Sequence, residues 1–117
     1  MNIQLYYSKM NFDVQKAKRF LKERRIPFTE VDLKKHKLGM RELELFARAA
    51  GGMKALVDAD AKGERADYVR QLSIDSYIAE ELLANPSLIK GPIVRNGSAA
   101  TVGFEQAVVE KWLAANK

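Results

Sequence analysis

The feature that most narrows the fold is a strand, a helix and a second strand packed into the first 32 residues. Asn2 to Tyr7 alternates polar and apolar side chains, with Ile3, Leu5 and Tyr7 on one side, the period of a strand with one buried face. Asp13 is placed to be the N-cap or first-turn acid of a helix running to about Arg25, in which Val14, Ala17, Phe20 and Leu21 share an apolar face. Lys18, Arg19, Lys22 and Arg25 fall together on the opposite side of that helix. Ile26-Pro27 ends it, because proline lacks an amide donor and restricts the residue before it. Phe28 to Asp32 then reads as a second short strand, and a strand, helix and strand of this length form a parallel βαβ unit.

The middle of the chain is helical. Leu43, Phe46, Ala47 and Ala50 follow the i, i+3, i+4, i+7 spacing, and Gly51-Gly52 stops that helix. Met53 to Val57 reads as a short further turn, and Asp58 to Arg65, polar and carrying Gly63, as a loop. Asp75 or Ser76 caps a helix that holds Ile78 and Leu82 and ends near Asn85-Pro86. The clearest local signal is Asn96-Gly97 between the strand-like runs Pro92 to Arg95 and Ser98 to Val102. It predicts a type I′ hairpin, whose two central residues both need positive φ. A last helix follows with Val108, Trp112 and Ala115 on one face. There are no repeats, low-complexity tracts or linkers, so residues 1–117 read as one domain in the order β-α-β, helical insertion (about 33–89), β-β-α.

Several kinds of chemistry are excluded by residue counts. The chain has no cysteine, which removes disulfides, thiolate nucleophiles and thiolate metal ligands. It has one histidine, so a His/Cys zinc site cannot be assembled within it, and no dense Asp/Glu motif points to another metal. No cofactor is expected. No apolar run approaches the roughly 20 residues that cross a bilayer, and the N-terminus lacks the pattern of a signal peptide. The cytoplasm is therefore the default expectation, with no membrane partner.

The net charge of +5 is unevenly spread: residues 1–41 hold 11 Lys/Arg against 4 Asp/Glu, and the remainder holds 9 against 11. A basic first third can steer an acidic partner, or can simply be a solvated surface. The stretch Leu33-Lys34-Lys35-His36-Lys37 has the composition of a phosphate contact. No aromatic residue is interleaved there, so a solvated loop is the simpler reading and nucleic acid is not expected as a partner. Tyr6, Tyr7 and Met10 would form an apolar rim if exposed together, although Tyr7 shares its strand side with Ile3 and Leu5 and is expected in the core.

The residues also resemble a family. Ile3 to Lys9 is similar to the first strand and active loop of the arsenate reductase (ArsC)/Spx/YffB-like group of thioredoxin-like proteins. Phe12 to Ala17 and Phe20 to Phe28 are similar to that group's first helix and second-strand entry. Asn85-Pro86-Ser87-Leu88-Ile89-Lys90-Gly91-Pro92-Ile93-Val94-Arg95-Asn96-Gly97, with Ala100 to Phe104, is similar to its late signature. The resemblance implies an α/β thioredoxin-like fold with a mixed four-stranded sheet and a cis peptide at Pro92.

It equally shows what is missing. The family's nucleophilic cysteine falls on Asn11, the second cysteine of Spx-like redox switches on Val14, and the arginine following it on Gln15. The oxyanion-holding arginines of true arsenate reductases fall on Asp58, Gly91 and Gly103. The resemblance therefore implies a protein that is not an enzyme and acts by contact. Spx itself binds RNA polymerase, which makes that polymerase a possible partner by analogy. Lys18, Arg19, Lys22, Arg25 and the Gly51-Gly52 turn are the candidate partner-binding residues. The alternative is thiol-independent binding of a small anion or glutathione-like ligand in the old cleft.

Overall fold

The computed structural model describes residues 1–115. Four strands, β1 (Ile3–Tyr7), β2 (Phe28–Asp32), β3 (Ile93–Asn96) and β4 (Ala99–Val102), form one mixed sheet in the order β2-β1-β3-β4. β1 and β2 run parallel, with Ile3 opposite Phe28 and Tyr7 opposite Asp32; β1–β3 and β3–β4 are antiparallel. Five helices complete the fold: α1 (Phe12–Glu23), α2 (Met40–Ala50), α3 (Glu64–Gln71), α4 (Asp75–Ala84) and α5 (Gln106–Ala115). No helix of the described residues is long and apolar enough to cross a membrane.

The sheet is covered on both faces. Ile3 and Leu5 of β1 and Val94 of β3 pack with Ala17, Phe20 and Leu21 of α1 and Val109 of α5. On the other face Tyr6 and Ile93 pack with Leu43 and Phe46 of α2, Val69 of α3, and Ile78 and Leu82 of α4. This reverses the expectation for the two tyrosines. Tyr6, at 1% exposure, is a core residue with its ring edge-on to Phe46, while Tyr7 is half-buried and reaches the surface. The reason is that the helical insertion folds back over the second face of β1, so both sides of the strand are interior.

Asn11, not Asp13, is the N-cap of α1, in extended conformation with φ −137°, and Asp13 sits in the first turn. The helix stops at Glu23, short of Arg25. Arg25 adopts a left-handed conformation (φ 56°), and the Ile26 amide bonds back to the Leu21 carbonyl at 2.9 Å. That is a Schellman-type end on a non-glycine residue, and it turns the chain so that Pro27 can lead into β2. Arg25 is therefore not part of a helical stripe. In α2 the Glu42 carboxylate accepts the Gly39 amide at 3.3 Å at the start, and Gly51 (φ 93°) ends the helix with the Gly52 amide on the Ala47 carbonyl at 2.8 Å.

Helix α3 lies where the sequence offers no apolar period. Its buried side chains, Ala66 and Val69, are too few to show one. It is held instead by long-range contacts. The Arg70 guanidinium donates to the carbonyls of Asp58 (3.2 Å) and Ala61 (2.7 Å), and Arg65 pairs with Glu81 of α4 at 3.1 Å.

The hairpin is also shifted by one residue from the Asn-Gly expectation. Asn96 pairs with Ala99 inside the sheet, so the two-residue loop is Gly97-Ser98, with Gly97 alone at positive φ, as in a type II′ turn. Asn96 is held in the ladder because it also faces Ile3 of β1, and a one-residue slip would turn every side chain of β3 to the wrong face. In α5 the fully buried residue is Val109, flanked by half-buried Trp112 and Leu113. Ala115, which the pattern placed inward, is exposed.

Phe46 is fully buried and touches the central strand through Tyr6. Phe46→Ala is expected to lower unfolding free energy by about 3–5 kcal/mol, measured by urea denaturation, whereas an Ala115 substitution should be near neutral.

Candidate functional site

The loop of residues 8–11 joins the end of β1 to α1. Asn11 fills the position before the first helical residue, where a thiol would meet the helix amides. Its Oδ1 accepts the Val14 amide at 2.8 Å, its carbonyl accepts the Gln15 amide at 3.1 Å, and its Nδ2 donates weakly to the Gly91 carbonyl at 3.4 Å. Side-chain caps of this kind stabilise a helix by typically ~1 kcal/mol. Val14 is fully buried in the core behind the cap, and Gln15 is exposed.

The structure brings Asn11, Gly91, Pro92 and Gly103 together. The Gly91–Pro92 peptide is cis, and the Gly103 amide donates to the Pro92 carbonyl at 2.7 Å. Gly103 sits at φ +86°, a conformation that strains any residue with a Cβ. At Gly91 a Cβ would lie 3.5 Å from the Cβ of Tyr7. Asp58 stands apart, beside the chain that enters β3. Its amide bonds to the Leu88 carbonyl at 2.8 Å, and its carboxylate is occupied by the Asp60 amide at 2.9 Å. No arginine stands at these three positions, and Asp13 adds negative charge in the first turn of α1. A developing oxyanion would find no charged donor there.

The partner-binding candidates are divided by the structure. Arg19 and Lys22 are exposed on α1, and with Met10 and Gln15 they line a shallow groove of about 370 Å³. Lys18 is different: it pairs with Glu30 of β2 at 3.0 Å and is only 24% exposed. On a helix it stacks one turn above Val14, at the edge of the buried face and not opposite it. Gly51 is exposed and Gly52 half-buried, both in a second open groove of about 570 Å³ between α2 and the start of α4.

Beside the loop, the Tyr7 hydroxyl donates to Glu30, which also holds Lys18. The hydrogen bond from Tyr7, then that from Lys18, holds the Glu30 carboxyl below its ordinary range. The same bond to Glu30, then burial, raises the Tyr7 hydroxyl, and Glu30 also raises Lys18. All three stay in their ordinary charge states at neutral pH.

A second polar group lies on the opposite face of β1. The Tyr6 hydroxyl donates to Glu42 at 3.1 Å and accepts from Arg95 at 3.3 Å, while Glu42 also meets His36 at 3.2 Å. His36 therefore anchors the basic loop to α2, where a free solvated loop was the simpler expectation. Glu42 stands three residues after Gly39 in the first turn of α2, but Tyr6 meets it across 36 positions and meets Arg95 across 89. Among the described residues no group of three or more His, Asp or Glu is placed to hold a metal ion.

This strand order, with the helical insertion between β2 and β3 and a loop, cis-proline and helix N-terminus converging, defines a thioredoxin-like α/β fold. No protein-family model and no curated protein sequence matches the chain. Solved structures do. The chain is similar to a Bacteroides fragilis protein described as ArsC family related (TM-score 0.78, 21% identity, covering 95% of this chain and 98% of that one). It is also similar to an arsenate reductase (ArsC) related protein from Brucella melitensis (0.63, 25%, 97% and 95%), and to an arsenate reductase from Vibrio cholerae (0.72, 19%, 97% and 97%). The fold is that of the ArsC-related structures, on a chain with no cysteine.

Glu42 yields a pH prediction. Burial alone would raise its carboxyl, but hydrogen bonds from the Gly39 amide, His36 and Tyr6 outweigh that and hold it below the ordinary carboxylate value. A depressed folded value gives stability that is present above the unfolded value and lost as pH falls through the folded one. Glu42→Gln should therefore be less stable than the parent at neutral pH. The gap in urea midpoint should close as the solution is acidified past the folded value.

Proposed function

We propose that this chain is a cysteine-less ArsC/Spx-like protein that acts by contact with another protein, in the cytoplasm, and not by catalysis. The observation that carries the reading is Asn11. The residue at the helix entrance offers no nucleophile, and its side chain spends itself on capping α1 and on the Gly91 carbonyl. Anion or glutathione binding at the same place is opposed by the occupied Val14 amide, by Asp13 and by the missing arginines. What stays available is surface: the exposed Arg19 and Lys22, and Met10 and Phe12 at 49% and 73% exposure on either side of Asn11. By analogy with Spx, RNA polymerase is the first partner to assay.

Two experiments test this reading. The parent protein should show no arsenate or disulfide reduction with glutathione or thioredoxin as donor. Asn11→Cys should not restore turnover, because each absent oxyanion donor costs about 10²–10³ in rate; near-family turnover in that single variant would overturn the charge argument. For contact, Arg19→Glu/Lys22→Glu should abolish co-purification with RNA polymerase, or with whichever cellular protein the parent chain retains. Thermal stability should change little, since exposed substitutions lie within about ±0.5 kcal/mol each. Lys18 is left unchanged there, because reversing it would set a carboxylate against Glu30.

A further inference from the structure

The end of the sheet that holds the loop of residues 8–11 is built from three segments. The first, Ser8 to Asn11, follows β1; the second, Leu33 to Lys37, follows β2; the third, Lys90 to Pro92, precedes β3. Parallel pairing of β1 and β2 and antiparallel pairing of β3 bring all three to the same edge. Two hydrogen bonds tie them: the Leu33 amide to the Tyr7 carbonyl at 3.0 Å, and Asn11 Nδ2 to the Gly91 carbonyl at 3.4 Å. These segments carry Lys9, Lys34, Lys35, Lys37 and Lys90, all exposed and none in an ion pair among the described residues.

Two of the nearby carboxylates, Glu30 and Glu42, are held by side-chain partners, and a third, Asp32, by a backbone amide. Asp32 accepts the Lys34 amide at 2.9 Å, Glu30 holds Lys18 and Tyr7, and Glu42 holds His36 and Tyr6. Five exposed lysines outside any ion pair among the described residues thus sit on the three loops at this end, with the exposed Met10, against the unpaired charges of Asp32 and of Asp13 in the first turn of α1. A groove of about 430 Å³ opens between the first two segments, with Ser8, Met10 and Lys34 on its walls together with the carboxylates of Glu30, which is paired with Lys18, and Asp32.

We infer that this end of the sheet docks an acidic segment of a partner protein, its carboxylates facing Lys9, Lys34, Lys35, Lys37 and Lys90 and an apolar side chain seated on Met10. The inference rests on the reading of the chain as a contact protein and adds a partner chemistry and a surface distinct from Arg19 and Lys22. Complementary charge steers such encounters and sets register, while an apolar anchor at the centre supplies the desolvated contact that exposed charges lack. A protein segment is favoured over nucleic acid on two grounds. All five cations are lysines, without the planar guanidinium fork suited to phosphate. The exposed ring at this end, Phe12, already carries the Lys16 ammonium 5.6 Å from its centroid, which detracts from its use as a stacking platform.

The test uses the full chain and three fluorescent probes: a glutamate-rich peptide with one central leucine, the same peptide with serine for leucine, and a single-stranded oligonucleotide of equal charge. The leucine peptide should bind tightest, and its binding should weaken between about 0.01 M and about 0.15 M salt, as the screening length falls from about 30 Å to about 8 Å. Lys34→Glu/Lys35→Glu/Lys37→Glu should weaken it by about tenfold or more, within the range that focused surface charge contributes to association; Lys111→Glu on the exposed side of α5 should not. Met10→Ser should erase the preference for leucine over serine. Absent binding at low salt, tighter binding of the oligonucleotide, or an undiminished affinity in the triple variant would each overturn the inference. If Arg19→Glu/Lys22→Glu abolishes peptide binding and the lysine triple does not, this surface is wrong while the contact reading stands. If the chain proves to be a turning-over reductase, the contact reading fails whatever the peptides do.

Discussion

The structure depends on burial of β1 from both sides. Ile3 and Leu5 lie under α1 and α5, and Tyr6 lies under the helical insertion against Phe46. Because β1 pairs with both β2 and β3, each layer is aligned by the same five residues. Tyr6 adds a polar constraint to the packing. Its ring is in the core, but its hydroxyl must find partners there, and it finds Glu42 of α2 and Arg95 of β3. The hydroxyl's pKa is raised, chiefly by burial, so it remains a neutral donor. One side chain thus joins the sheet to the insertion by shape and by hydrogen bonding together.

That frame brings three backbone segments together at position 11. A helix N-terminus, the end of a central strand and the entry to β3 converge there, yet the residue binds only its own helix and a neighbouring carbonyl. A Cβ at Gly91 would make ordinary contact with Tyr7, whereas Gly103 sits in a left-handed turn that strains any residue with a side chain. The exposed lysines of the region stand on the surrounding loops.

Elements with a strong local period were readable residue by residue. β2 and the end of α2 follow from proline, the 3.6-residue spacing of Leu43, Phe46 and Ala47, and Gly51-Gly52. Elements held by distant contacts were not. α3 is polar along most of its length and is fastened by Arg65 and Arg70 to residues outside it. The turn between β3 and β4 slipped by one residue from the Asn-Gly signal because β1, far away in sequence, claims Asn96. Lys18 counted as a surface cation until β2 brought Glu30 against it, and the loop residue His36 gains a partner only because α2 brings Glu42 to it.

By itself the sequence determined what this protein lacks and the order in which its elements follow. Absence of cysteine is a property of composition, and helix or strand period is a property of neighbours in the chain, so neither waits on folding. Tertiary structure decided which tyrosine is core and which cations are free. Each of those depends on what a residue meets across the sheet or between layers, and strand pairing joins positions as far apart as Tyr6 and Arg95 that no local pattern relates.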